Sequence, residues 1–310
     1  MGFVTDDAKW GPSTAPRRTL GGLVWPNGGN LGKDAVAMCR LIGVLASERT
    51  DFRFSLKDAP RSLAVLSRQH PHGWGIATYS DDSGWSIRKR AMCAVEDEVF
   101  EEAACSSRGE VLVAHIRQRT VGPTGFLNTH PFQRGRWMFA HNGTIEDVAY
   151  LESQISPKRR AEVVGDTDSE LFFAYLLTRL DSANLTDLRA GALTDAAIAR
   201  AMRDAVARPS FGACNFLLSN GETLYAHRFG RSLFTLKRAP GDRLVPERRS
   251  PDGIALETRW SEARQAVLLA SEAISDEPWE ELQEGSLLRA DRLPEPVVRQ
   301  IGNTVTGQVL

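Results

Sequence analysis

Residues 39–47, CRLIGVLAS, place a cysteine directly ahead of a short, nearly continuous apolar run. Such a run, bounded by polar residues, reads as a buried strand. The 38 residues before it are broken by Gly, Pro and Asn and carry no sustained periodicity, whereas from Arg40 onward the pattern is that of a packed protein. A packed domain therefore begins at Cys39. Met38 precedes a small residue, so a start at Met38 followed by methionine removal would leave Cys39 with a free α-amine. A free N-terminal cysteine can attack through its thiol while its own amine handles protons. Residues 1–38 read as an irregular leader, either a mis-assigned start or a propeptide, and 39–310 as one domain.

Outward from this strand, WGIATYS (74–80) and WSIRKRA (85–91) read as paired strands across DDSG. EVLVAHIR (110–117) reads as a central strand covered on both faces, and RWMFAHNG (136–143) as another. SLAVLSRQ (62–69) and EDEVFEEAAC (96–105) have helical spacing. So do TIEDVAYLESQI (144–155), DSELFFAYLLTRL (168–180) and LTDAAIARAMRDAVA (193–207). Strands return in CNFLLSNGETLYAHRF (214–229), AVLLASEAI (266–274) and GSLLRADRL (285–293). Strands, then helices, then strands predict an α+β protein of stacked layers rather than alternating βαβ units.

Composition narrows the function. The 310 residues hold 38 Lys and Arg against 39 Asp and Glu, so no net charge favours nucleic acid or an acidic membrane. No run suits a membrane span and no signal peptide opens the chain, which predicts a cytoplasmic protein. Cys39, Cys93, Cys105 and Cys214 form no C-x-x-C pair, and His70 and His72 lack an obvious third ligand, so no metal or other cofactor is expected. HPHGWG (70–75) reads as a tight turn.

Three further stretches could carry chemistry. Arg117 ends the central strand, where a guanidinium either snorkels from the sheet edge or clamps a substrate carboxylate through paired hydrogen bonds. Asn142-Gly143 would ordinarily signal a hairpin, as Asn220-Gly221 does between two strand patterns. The helical pattern that follows instead predicts a strand-to-helix junction able to cradle an oxyanion. Thr167 and Glu170 fit a capping box, leaving Asp168 to point outward and accept a substrate ammonium.

In order, Cys39, HIRQRT (115–120), NTHPF (128–132), FAHNG (139–143) and GDTDSE (165–170) resemble the class II glutamine amidotransferases, which are N-terminal-nucleophile hydrolases. HPHGWGIA (70–77) and ASEAISDEPW (270–279) look most like the stand-alone, YafJ-like members. The resemblance covers roughly residues 39–285. It implies a four-layer αββα sandwich and a glutamine amidotransferase domain over 39–310. It assigns nucleophile and base to Cys39, the oxyanion hole to Asn142 and Gly143, the substrate carboxylate to Arg117 and the ammonium to Asp168. Thr120 and His130 would line the substrate pocket. The implied reaction releases ammonia and glutamate from glutamine through a γ-glutamyl thioester. The alternatives are hydrolysis of a larger γ-glutamyl amide, or a non-catalytic glutamine-binding module if Cys39 is never exposed. A separate synthase subunit as ammonia acceptor and a homodimer are the partner expectations. Gln118 departs from some relatives, which carry an aromatic there, and the resemblance extends to no synthase domain within these residues, so a stand-alone amidotransferase is the expectation.

Overall fold

The computed structural model describes residues 39–240 and 264–306. The leader assigned to residues 1–38 lies outside the described residues. Two antiparallel sheets form the centre. Sheet A contains β1 (Arg40–Asp51), β2 (Trp74–Ser80), β3 (Gly84–Arg90), β4 (Arg108–Ile116), β9 (Phe234–Arg238), β10 (Ala266–Ala270) and β11 (Glu280–Glu281). Its order is β11-β9-β10-β1-β4-β2-β3. Sheet B contains β5 (Phe132–Arg134), β6 (Trp137–Ile145), β7 (Gly212–Ser219), β8 (Thr223–His227), β12 (Ser286–Asp291) and β13 (Val297–Asn303), in the order β13-β12-β8-β7-β6-β5.

Side-chain alternation along β1 explains the layering. Ile42, Val44 and Ala46 face one way, into an apolar layer with Leu63 of α1 (Leu63–Ser67) and Phe100, Ala103 and Ala104 of α2 (Glu98–Ser106). Leu41 and Leu45 face the other way, against Met138, Ala140, Leu217, Leu224 and Leu288 of sheet B. Gly43 lies between them, where a Cβ would come within 2.9 Å of Leu217 Cδ1, so the missing side chain admits the facing sheet. The opposite face of sheet B carries Trp137, Phe139, Phe216 and Tyr225. These pack on α3 (Val148–Gln154), α5 (Asp168–Ser182) and α6 (Ala192–Val206). The result is the expected α+β, αββα sandwich, with three apolar layers rather than one core. The short helix α4 (Pro157–Ala161) completes the set, with Ser156 Oγ capping the Arg159 amide.

Most expected elements form. β4 is central, between β1 and β2, and the hairpin β2–β3 pairs Trp74 with Arg90 through Ser80 with Gly84. Asn220 Oδ1 accepts from Glu222 and Thr223 N–H, and Gly221 takes φ +93°, closing the predicted β7–β8 hairpin. Two expectations are corrected. Strand β6 does not stop at Gly143: Thr144 and Ile145 continue the ladder opposite Ala213 and Gly212, and helix α3 begins only at Val148, capped by Asp147. The Glu170 side chain does not close a capping box. It accepts from Val164 and Gly165 N–H and pairs with Arg134, while Thr167 Oγ1 alone caps α5.

Buried histidines give the fold a pH signature. Desolvation holds His115 down at about 3, and His70 and His227 at about 4. A histidine neutral when folded but protonated near pH 6.5 when unfolded favours the unfolded chain in acid. Stability contributed by these groups is complete above about pH 6.5 and is lost as pH falls toward 4, by up to about 1.4 kcal/mol per histidine per pH unit. Melting temperatures measured from pH 8 to 4 should be flat above 6.5 and drop steeply below it. A flat profile down to pH 4.5 would contradict the burial of neutral imidazoles.

Candidate active site

The first residue of the described chain is Cys39, which enters β1 one position before the Arg40–Ile116 pair. This register sets it beside the end of β4. Its Sγ lies 3.2 Å from both the amide N and the carbonyl O of Gln118, accepting from the first and donating to the second. The thiol is partly buried, and desolvation outweighs the Gln118 amide and the nearby Arg117 guanidinium to push it up to about 11. At neutral pH the sulfur is therefore protonated and needs a base to become a nucleophile.

Three contacts fix the entry to β1. Arg40 Nε pairs with Glu272 at 3.1 Å, and Leu41 N–H donates to Ser271 Oγ at 3.1 Å. Ser271 N–H returns to Leu41 O at 3.1 Å. Ser271 also accepts from Asn142 Nδ2 at 3.1 Å, so one hydroxyl joins the start of β1 in sheet A to the Asn142 amide in sheet B. Nothing local in the sequence marks Ser271 or Glu272 for this position; the stretch ASEAISDEPW reads only as a strand end and a family marker.

The ladder orients Gly143. Cys214 sends its N–H to Phe229 O, away from β6, so Gly143–Cys214 is a non-hydrogen-bonded pair and the Gly143 N–H turns away from β7. Ile145, two residues on, points its N–H the same way and donates to Asp168 Oδ2 at 2.7 Å. β5 pairs with β6 only as far as Phe139, so the Gly143 N–H lies beyond that strand's ladder. A Cβ on Gly143 would meet Ala213 O at 1.9 Å, a backbone collision that restricts the position to glycine.

Asp168 is buried at the first turn of α5 rather than pointing to solvent, because its carboxylate satisfies the Ile145 amide. Its charge reaches Cys39, Arg117 and His141. His141 is held between Ser169 Oγ at 2.8 Å and Ala213 O at 3.2 Å. Arg117 is also buried. Its guanidinium donates to the carbonyls of Val121 (2.7 Å), Pro123 (2.9 Å) and Gly122 (3.4 Å). These three bonds use part of its five N–H groups and set the 121–123 loop. The strand-end position is thus as expected, and the side chain turns into the loop instead of snorkelling.

His130 is buried against His115, ring centroids 4.3 Å apart, and against Phe132 at 4.5 Å; burial drives its pKa well below the ordinary value. Thr120 lies on the exposed stretch after β4, next to Arg119, whose N–H donates to His72 Nδ1. Cys39, Arg117, Asn142, Gly143 and Asp168 therefore gather at one end of the two sheets, whereas Thr120 is exposed and His130 is buried against His115 and Phe132. Among the described residues, no group of three or more His, Cys, Asp or Glu is placed to hold a metal, and no helix is long and apolar enough to cross a membrane.

Two facing antiparallel sheets between helical layers give this chain the αββα fold of the N-terminal-nucleophile hydrolases, with Cys39 at the head of a central strand. The chain belongs to the class II glutamine amidotransferases, whose family model matches residues 38–296. YafJ of Escherichia coli is 31% identical over 217 residues, covering 66% of this chain and 78% of that protein. The γ-glutamyl-hercynylcysteine sulfoxide hydrolase of Mycobacterium tuberculosis is 31% identical over 222 residues, 68% of this chain and 84% of that protein. A solved Pseudomonas aeruginosa structure, described as a predicted glutamine amidotransferase, superposes with TM-score 0.54 at 23% identity, over 85% of this chain and all of that one. That likeness concerns the fold.

Proposed function

We propose that the protein hydrolyses the side-chain amide of glutamine through Cys39. The observation that carries this reading is the Cys39 thiol at the head of β1, where the Ser271 hydroxyl accepts from both the Leu41 N–H of that strand and the Asn142 amide of the facing sheet. With its α-amine free, Cys39 transfers the thiol proton to that amine as Sγ attacks the carbonyl carbon. An α-amine titrates near 8, far closer to neutrality than this thiol. The oxyanion that forms takes hydrogen bonds from Asn142 Nδ2 and Gly143 N–H. The second N–H of Asn142 remains on Ser271, which orients the amide. Collapse returns the proton to the leaving nitrogen, releases ammonia and leaves a γ-glutamyl thioester, which water hydrolyses to glutamate. Arg117 holds the substrate α-carboxylate and Asp168 its ammonium, with Thr120 and His130 completing the pocket.

A second reading is hydrolysis of a larger γ-glutamyl amide. The Mycobacterium tuberculosis relative favours it, since its name denotes a hydrolase of such a compound, and the site fixes the glutamyl end alone. For a glutaminase, a separate synthase subunit would be the ammonia acceptor. Glutamate release from glutamine and from one bulky γ-glutamyl amide decides between the two.

Steady-state kinetics test the roles. Asn142→Ala and Ser271→Ala should lower kcat with little change in KM, the first by about 10²–10³ and the second by about tenfold, because the oxyanion exists only along the reaction path. Arg117→Ala should mainly raise KM, since a carboxylate clamp holds substrate and transition state alike. An Arg117 variant with unchanged KM, or an Asn142 variant with unchanged kcat, would reverse these assignments.

A further inference from the structure

At the end of sheet A remote from Cys39 lies a cavity of about 200 Å³ that the proposed reaction does not use. Arg108 begins β4 and Ile116 ends it beside the site, so the two are about 26 Å apart along the strand at ~3.3 Å per residue. The β2–β3 register builds the floor: Ile76 opposite Arg88, Thr78 opposite Ser86 and Ser80 opposite Gly84, all on one face. Arg49 from the end of β1 and Arg108 from the start of β4 add two more guanidinium groups. Three arginines and a ring of hydroxyls therefore line a space of small-molecule size.

Two observations bear on what this lining could hold. Ser80 is buried, yet its Oγ has no hydrogen-bond partner, an arrangement that costs about 1–3 kcal/mol unless something fills it. The arginines are held only loosely. Arg49 and Arg108 stand 3.7 and 3.6 Å from Asp82 and Asp51, and Arg88 3.3 Å from Glu102, all half-exposed pairs of the kind worth little. None of those carboxylates lines the cavity. A phosphate group suits three guanidiniums and adjacent hydroxyls better than a carboxylate, because it offers more acceptor oxygens and nearly two charges. The hydroxyls of Ser86, Ser106 and Ser107, which also line the cavity, suit a hydroxylated remainder of the ligand.

We infer that this cavity binds a small phosphate ester of a hydroxylated metabolite through Arg49, Arg88, Arg108 and Ser80. The site is separate from Cys39 and stands or falls without it. Calorimetric titration of the full chain with glycerol 3-phosphate, inorganic phosphate and acetate tests it. Glycerol 3-phosphate should bind saturably and more tightly than phosphate, with acetate silent. Arg88→Ala and Arg108→Ala, both at half-exposed positions, should each weaken binding about tenfold or more, with circular dichroism unchanged. Absence of saturable binding by glycerol 3-phosphate at 10 mM (roughly the weak limit for such contacts) would overturn the inference. So would arginine variants that bind as the parent does, or acetate binding as tightly as the ester.

Discussion

Replacing Cys39 with alanine is expected to abolish hydrolysis of γ-glutamyl amides, a loss of at least about 10⁴-fold by analogy with removal of other catalytic nucleophiles, while the fold persists. The side chain is only partly buried, and its removal from the mouth of β1 leaves the Leu41–Ser271 bonds in place. Cys39→Ser should be nearly as inactive, since an alcohol is far harder than a thiol to deprotonate by an amine titrating near 8. Glutamate release, with melting temperature as the control for folding, checks both variants. The pH profile gives an independent reading. Desolvation pushes the thiol up to about 11, so a mechanism led by the free thiolate would rise toward that value. A mechanism led by the α-amine rises with an apparent pKa of about 8. Full activity in Cys39→Ala would dismiss the nucleophile.

The second large effect concerns the N-terminus. A form that keeps residues 1–38 is expected to be inactive, and one that starts at Met38 and loses the methionine to be active. In the longer form the Cys39 nitrogen is an amide with no basic lone pair. The thiol, already held protonated by burial, then has no base of its own. Among its neighbours, the Gln118 carbonyl accepts a hydrogen bond from Sγ but cannot take the proton away at neutral pH. The buried histidines are poor substitutes, since desolvation keeps His115 near 3 and His70 near 4. Both forms should be expressed, their N-termini established by mass, and glutamate release measured from glutamine and from a bulky γ-glutamyl amide. Equal activity from an intact leader form would defeat the N-terminal-nucleophile mechanism. Activity on the bulky amide alone would keep the mechanism and transfer the function to the second reading.

The sequence by itself determined the two-sided burial of β1 and β4, because the apolar runs LIGVLA and VLVA carry no polar side to present to water and suit a doubly covered sheet. It also marked Cys39, Arg117, Asn142, Gly143 and Asp168, since their residue types at a domain start, a strand end and a helix cap are sparse enough to notice. Only the tertiary structure decided how these residues are placed relative to one another. Local pattern predicted that β6 would end at Gly143, but pairing with β7 carries it to Ile145, and the alternation of that ladder aims the Gly143 N–H. Local capping rules left Asp168 facing solvent, yet the Ile145 amide draws it inward. Ser271 was invisible as a site residue because its role lies in joining Leu41 and Asn142, which are 101 positions apart. Periodicity and caps report interactions within a few residues. The hydrogen bonds at this end of the fold connect residues far apart in the chain, between the two sheets and between strand β6 and helix α5, and no local pattern encodes them.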